Sequence, residues 1–113
     1  MSLNQEKPSF AVIGSGSWGT AIAKILTDNG FTIRWWGRSK KRVKAIKESG
    51  ANPDYLSGVK LVKSKIKPTH KINKVLTEST HIVLAVPSAF LKKAFEKAEI
   101  ENLKQKHFIF KTF

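Results

Sequence analysis

Residues 14–19 read Gly-Ser-Gly-Ser-Trp-Gly and directly follow the apolar run Phe10-Ala11-Val12-Ile13. Glycines spaced G-x-G-x-x-G between a strand and a helix suit the binding of a diphosphate. Gly14 is expected to permit the sharp turn out of the strand, and Gly16, lacking a Cβ, to let a pyrophosphate approach the backbone. Gly19 is expected to let the following helix pack closely on the sheet. The amides of the first helical turn, with the helix dipole behind them, then favour phosphate charge. A glycine triplet alone says little; its place between these two elements is what gives it meaning.

An acidic residue about 20 positions further on would ordinarily read the ribose. Here the second strand ends Trp35-Trp36-Gly37-Arg38-Ser39, and no Asp or Glu occurs between Gly30 and Glu48. A carboxylate there would repel a 2′-phosphate, whereas Arg38, Lys40, Lys41 and Arg42 would attract one. NADP is therefore expected to be accepted alongside NAD, or preferred over it. In the alternative reading only Arg38 touches the adenosine end and the other cations are solvated. A second contact region is expected at Val86-Pro87-Ser88-Ala89-Phe90, where a later strand ends. Phe90 either packs against the nicotinamide or ribose or belongs to the core, and the sequence leaves both readings open. His70, His81 and His107 have no carboxylate partner at a catalytic spacing and read as surface or strand-end histidines. No metal site is expected.

The elements that position these residues follow from the apolar pattern. Residues 10–13 and 81–86 are runs of the kind buried on both faces of a parallel sheet. From Ser17 the period becomes helical: Trp18, Ile22, Ile25 and Leu26 share one face, and Gly30 follows as a stop. Phe31, Ile33 and Trp35 alternate with Thr32, Arg34 and Trp36 as a second strand. Lys40 to Glu48 reads as a short helix with Val43 and Ile46 inward, ending near Gly50. An Asn-Pro turn, a short strand within 61–69 and a brief helix over 71–76 come next. Ser88 is the expected N-cap of a helix carrying Leu91, Ala94, Phe95 and Ala98 at i, i+3, i+4 and i+7. Phe108-Ile109-Phe110 is a last strand. Strands alternating with helices imply an α/β, doubly wound parallel sheet, a Rossmann-type dinucleotide-binding domain. It occupies residues 9–113 and is expected to be incomplete after about the fifth strand. Residues 1–8 read as a disordered or appended N-terminal segment.

Composition narrows the function classes. Of 113 residues, 41% are hydrophobic and 26% charged, which is globular rather than disordered. No apolar run approaches the roughly 18 residues needed to span a bilayer, so membrane insertion is not expected. The first ten residues lack the features of a signal peptide. With no cysteine, disulfide and thiolate chemistry are excluded, and a cytoplasmic location is expected. A net charge of +13 predicts attraction to anions, with six basic residues in 38–47 and six more in 60–74. Nucleic acid is the remote alternative partner, since neither a helix-turn-helix nor an RNA-binding aromatic motif is present. A stand-alone nucleotide-binding or redox-sensing module is another.

The segments AVIGSGSWGTAIAKIL, WWGRS, NPDYLSGVKL and VLAVPSAFL together resemble the N-terminal domain of bacterial NAD(P)-dependent glycerol-3-phosphate dehydrogenase. Order and spacing agree from about Phe10 to Phe90. The resemblance implies reversible hydride transfer between NAD(P)H and dihydroxyacetone phosphate, giving sn-glycerol 3-phosphate for phospholipid synthesis. It implies cofactor contacts at Ser17, Trp18, Arg38 and Phe90, and a substrate-binding lysine in a Lys-Gly segment after the fifth strand. Lys111 stands near that place, but Thr112 follows it rather than Gly. The family's general acid/base lysine and phosphate-binding residues lie in a helical C-terminal domain with no counterpart here. No catalytic residue is therefore expected within the chain, which should turn over little substrate alone.

An apolar last strand leaves an unpaired sheet edge, which invites pairing with a second copy. Light scattering at high concentration is expected to show a homo-oligomer or larger species; a clean monomer would contradict this.

Overall fold

Runs 10–13 and 81–84, apolar along most of their length, have to sit in the middle of a sheet, and they do. The computed structural model describes residues 8–110. Strand β1 (Phe10–Ile13) is the centre of five parallel strands ordered β3-β2-β1-β4-β5. The others are β2 (Ile33–Trp36), β3 (Ile66–Thr69), β4 (His81–Leu84) and β5 (His107–Phe110). The chain winds outward from β1 through β2 to β3, then returns to β1's other side with β4. Val12 stands level with Trp35 on one flank and Val83 on the other. Strand order thus reverses between β1 and β4, which places a crevice at their carboxyl ends.

Each face of the sheet carries its own core. Helices α1 (Ser17–Asp28) and α2 (Lys40–Ser49) cover one, where Val12, Ile33, Trp35 and Ala85 pack with Ala23 and Ile46. On the other, α3 (Ile72–Thr77) and the single turn α4 (Leu91–Ala94) cover Ala11, Ile13, Trp36, Ile82 and Leu84. Successive strand residues point to opposite faces, so the adjacent indoles of Trp35 and Trp36 enter different cores. Burying each large apolar side chain stabilises the fold by about 1.5–3 kcal/mol. Helix α2 matches its expected span: the Ser39 hydroxyl accepts the Arg42 N–H at 3.1 Å, Val43 and Ile46 are buried, and Gly50 closes it at φ +77°. At the sheet edge, β3 can accommodate Pro68, whose missing N–H would break an interior ladder. No helix among the described residues is long and apolar enough to cross a membrane.

Two helices depart from expectation. The α1 stripe of Trp18, Ile22, Ile25 and Leu26 is only half inward: Ile22 and Leu26 pack partly buried against the core, while Trp18 and Ile25 are 47% and 59% exposed. The fully buried residues of the helix are Gly19, Thr20, Ala23 and Thr27. Close approach to the sheet at Gly19 explains why small residues lie directly beneath the helix, and the Thr27 hydroxyl is satisfied by the Ala23 carbonyl at 2.7 Å. After β4, Ser88 makes no side-chain cap. The chain forms a 3-10 turn over Ser88–Phe90, and α4 lasts one turn rather than two. Its apolar spacing still serves burial, with Ala94 buried and Leu91, Phe95 and Ala98 packed against the same core. Lys111 and the N-terminal segment 1–7 lie outside the described residues, and β5 forms the second edge.

A Cβ on Gly19 would overlap the Gly14 carbonyl oxygen, which is backbone and cannot move aside. Gly19→Ala is therefore expected to lower stability by about 2–4 kcal/mol in urea denaturation. A variant as stable as the parent would contradict the tight α1–β1 packing.

Candidate functional site

The site begins where β1 hands the chain to α1. Gly14 adopts φ +124°, a conformation L side chains rarely take, and a Cβ there would lie 2.5 Å from the Ala85 carbonyl oxygen. Its N–H extends the sheet ladder to the Trp36 carbonyl at 2.9 Å. Its carbonyl accepts the buried Trp35 indole N–H at 2.7 Å. Gly14 and Gly19 are thus required by the protein itself. Gly16 is different. Its φ of −82° and ψ of −160° suit any L residue, and a Cβ there would meet nothing within 4 Å. What its missing side chain preserves is open space over the start of α1.

Gly16 is the N-cap and brings no side chain to occupy the first-turn amides, and the first turn holds no acidic residue. The Thr20 hydroxyl donates to the Gly16 carbonyl at 2.7 Å. A trans planar peptide then aims the Ser17 N–H the opposite way, out of the helix toward the open space.

A second segment braces this loop. Asn52, fully buried, donates from Nδ2 to the Ser15 carbonyl at 2.8 Å and to Thr20 Oγ1 at 2.9 Å. Its Oδ1 accepts the Asp54 N–H at 3.0 Å. Arg42 reaches in from α2: Nη1 donates to Ser15 Oγ at 3.2 Å, Nε to Asp54 Oδ2 at 2.8 Å, and the guanidinium lies 5.1 Å from the Tyr55 ring centre. Gly37 completes the brace, since a Cβ there would come 2.8 Å from Ser15 Oγ. Residues 52–55 therefore hold the glycine loop from behind. Sequence reasoning missed Ser15, Gly37 and Asn52; the Asn-Pro segment was the signal, its purpose invisible without the contacts.

A cleft of about 170 Å³ opens beside the loop, lined by Gly14, Ser15 and Gly16, by Trp36, Arg38 and Arg42 at the end of β2, and by Val86, Pro87, Phe90, Lys93 and Ala94 beyond β4. Pockets that enclose a whole small ligand run to about 300–1,000 Å³, so this one is too small to enclose such a ligand whole. Of the expected site residues, Gly14, Gly16, Arg38 and Phe90 meet here. Gly19 is buried beneath, and Ser17 and Trp18, both exposed, do not line the cleft. Phe90 is 53% exposed, which excludes the core reading.

Charge around the cleft is unevenly committed. Arg42 is engaged by Asp54, whereas Arg38 is exposed and forms no ion pair among the described residues. Lys40 and Lys41 are exposed and stand off the cleft. His81 and His107 stack 4.7 Å apart where β4 and β5 begin, and His70 lies in the turn before α3. None lines the cleft. Among the described residues no group of three His, Cys, Asp or Glu is placed to hold a metal ion.

Comparison with known proteins agrees with this geometry. Residues 9–112 match the model of the family described as NAD-dependent glycerol-3-phosphate dehydrogenase N-terminus. Over 95 residues the chain is 37% identical to a glycerol-3-phosphate dehydrogenase [NAD(P)+] of Pseudomonas paraeruginosa, covering 84% of this chain and 28% of that protein. A relative of the same name from Moorella thermoacetica is 42% identical over 82 residues, 73% of this chain and 24% of its own length. The crystal structure of glycerol-3-phosphate dehydrogenase from Coxiella burnetii superposes with a TM-score of 0.81 at 26% identity, covering 94% of this chain and 32% of that one. The chain thus spans 24–32% of the length of these relatives. By sequence and fold alike, it belongs to the NAD-dependent glycerol-3-phosphate dehydrogenase family, matching its N-terminal part.

Proposed function

We propose that the chain is the cofactor-binding domain of a glycerol-3-phosphate dehydrogenase, a cytoplasmic enzyme interconverting dihydroxyacetone phosphate and sn-glycerol 3-phosphate. The observation that carries this reading is Gly16, the glycine that neither backbone conformation nor packing requires and whose open side faces an uncapped helix start. A dinucleotide diphosphate accounts for it. The Ser17 amide and the α1 dipole bind the diphosphate charge. Asn52 and Arg42 hold the loop so that little reorganisation is needed on binding. Arg38 takes the adenosine side, and Phe90 supplies an exposed ring on the opposite wall. When bound, the nicotinamide supplies or accepts the hydride.

Proton transfer and substrate positioning belong to residues outside the described part of the chain, Lys111 being the one candidate for substrate contact. General acid–base help is worth about 10²–10⁴-fold, so cofactor binding without appreciable turnover is expected. The β5 edge is the surface assigned to self-association.

Two measurements test this. Gly16→Ala is expected to weaken NADH binding at least tenfold, about 1.4 kcal/mol, by isothermal titration calorimetry, while leaving the melting temperature within about 2 °C. Unchanged NADH affinity would refute the diphosphate seat. The second concerns the 2′-phosphate. With Arg42 held by Asp54, the uncommitted Arg38 guanidinium and the nearby Lys40 are the groups to meet it, so NADPH is expected to bind at least as well as NADH. Arg38→Ala should then cost NADPH several-fold more affinity than NADH; a clear NADH preference in the parent, or an equal loss for both, would overturn this assignment.

A further inference from the structure

The end of α1 farthest from the glycine loop carries the one Asn-Gly pair in the sequence, Asn29-Gly30, and both residues are exposed. In such a pair the glycine nitrogen, with no Cβ beside it to hinder approach, can attack the asparagine side-chain carbonyl. The Gly30 nitrogen loses its proton to hydroxide and bonds to Asn29 Cγ. The Cγ–Nδ2 bond then breaks and ammonia leaves, closing a five-membered imide. Water opens one of the two imide C–N bonds, leaving an aspartate or an isoaspartate at position 29.

The folded helix end holds both reacting groups apart. The Phe31 N–H donates to the Leu26 carbonyl and the Gly30 N–H to the Thr27 carbonyl, each at 3.1 Å. With Gly30 at φ +89°, these are the paired bonds of a Schellman cap. The attacking nitrogen is therefore engaged by Thr27, and with Asn29 at ψ 12° it is turned away from the Asn29 side chain. The leaving amine is held as well, since Asn29 Nδ2 donates to the Ile25 carbonyl at 2.7 Å. Phe31 meets Phe10 edge-on, ring centres 5.1 Å apart, which ties the cap to β1. Ring closure thus requires the last turn of α1 to open, and helix ends open at lower free energy than the whole fold.

Once formed, the product opposes reclosure. A carboxylate has no proton to give the Ile25 carbonyl, and it adds negative charge next to Asp28 at the negative end of the helix dipole. Lys24 is already paired with Asp28 at 3.0 Å, and the nearby Lys65 Nζ is directed to the Gly30 carbonyl at 3.4 Å. An isoaspartate also lengthens the backbone within the cap.

We infer that Asn29 is a modification site, converted through the cyclic imide when the last turn of α1 opens, so that the converted fraction records that opening. The inference does not rest on the dinucleotide reading, because Asn29, Gly30 and the groups that hold them do not line the cleft.

The test incubates the chain at neutral pH and physiological temperature, folded or in guanidinium chloride, and follows conversion by peptide-mapping mass spectrometry with separation of the isoaspartyl peptide. Conversion at Asn29 is expected to run at least tenfold faster in the unfolded chain. Asn73 and Asn102, followed by Lys74 and Leu103, are internal controls expected to stay amidated over the same period. Asn29→Asp should lower the melting temperature by about 2–5 °C. No conversion at Asn29 in the unfolded chain, equal rates folded and unfolded, or an Asn29→Asp variant that melts with the parent would overturn the inference.

Discussion

Everything at the carboxyl edge of this sheet is arranged around one carbonyl, that of Gly14. It accepts the Trp35 indole N–H at 2.7 Å and lies against the bare Cα of Gly19. A buried carbonyl needs a partner, since leaving it unsatisfied would cost about 1–3 kcal/mol. The indole from β2 provides it without crowding α1. Because helix and strand meet there, α1 starts beside the β1–β4 crevice with its first-turn amides toward the opening.

The requirement for close contact also explains why the buried face of α1 is made of glycine, alanine and threonine. Large apolar residues would lift the helix away from the sheet. Both buried threonines turn their hydroxyls onto the carbonyls four residues back, Thr20 onto Gly16 and Thr27 onto Ala23. For Thr20 that bond also orients the Gly16 peptide, and Asn52 fixes Thr20 in turn. A residue more than thirty positions away along the chain thus sets the direction of the Ser17 amide at the start of α1.

The parallel sheet and the glycine turn from β1 into α1 were legible in the sequence because they depend on local signals: continuous apolar strands, a period change at Ser17, and glycines at fixed offsets. Helix α2 was equally plain, since Ser39 and Gly50 mark its ends. What escaped was decided by tertiary contact. The apolar stripe of Trp18 and Ile25 looks like a core face until the closeness of α1 to β1 is known. Ser88 has the chemistry of an N-cap, yet Pro87 leads into a 3-10 turn instead. Arg42 read as a cation for the cofactor, and only the fold shows it held by Asp54 and Ser15.

The central claim is that backbone amides at the start of α1, cleared by Gly16, receive a diphosphate. Titrating NADH into ¹⁵N-labelled chain and following the backbone amide resonances tests it most directly. Saturable shifts should be largest at residues 16–19, with smaller ones at Arg38 and Phe90. Binding that leaves residues 16–19 unmoved while shifting amides elsewhere, or no binding at all, would contradict the account.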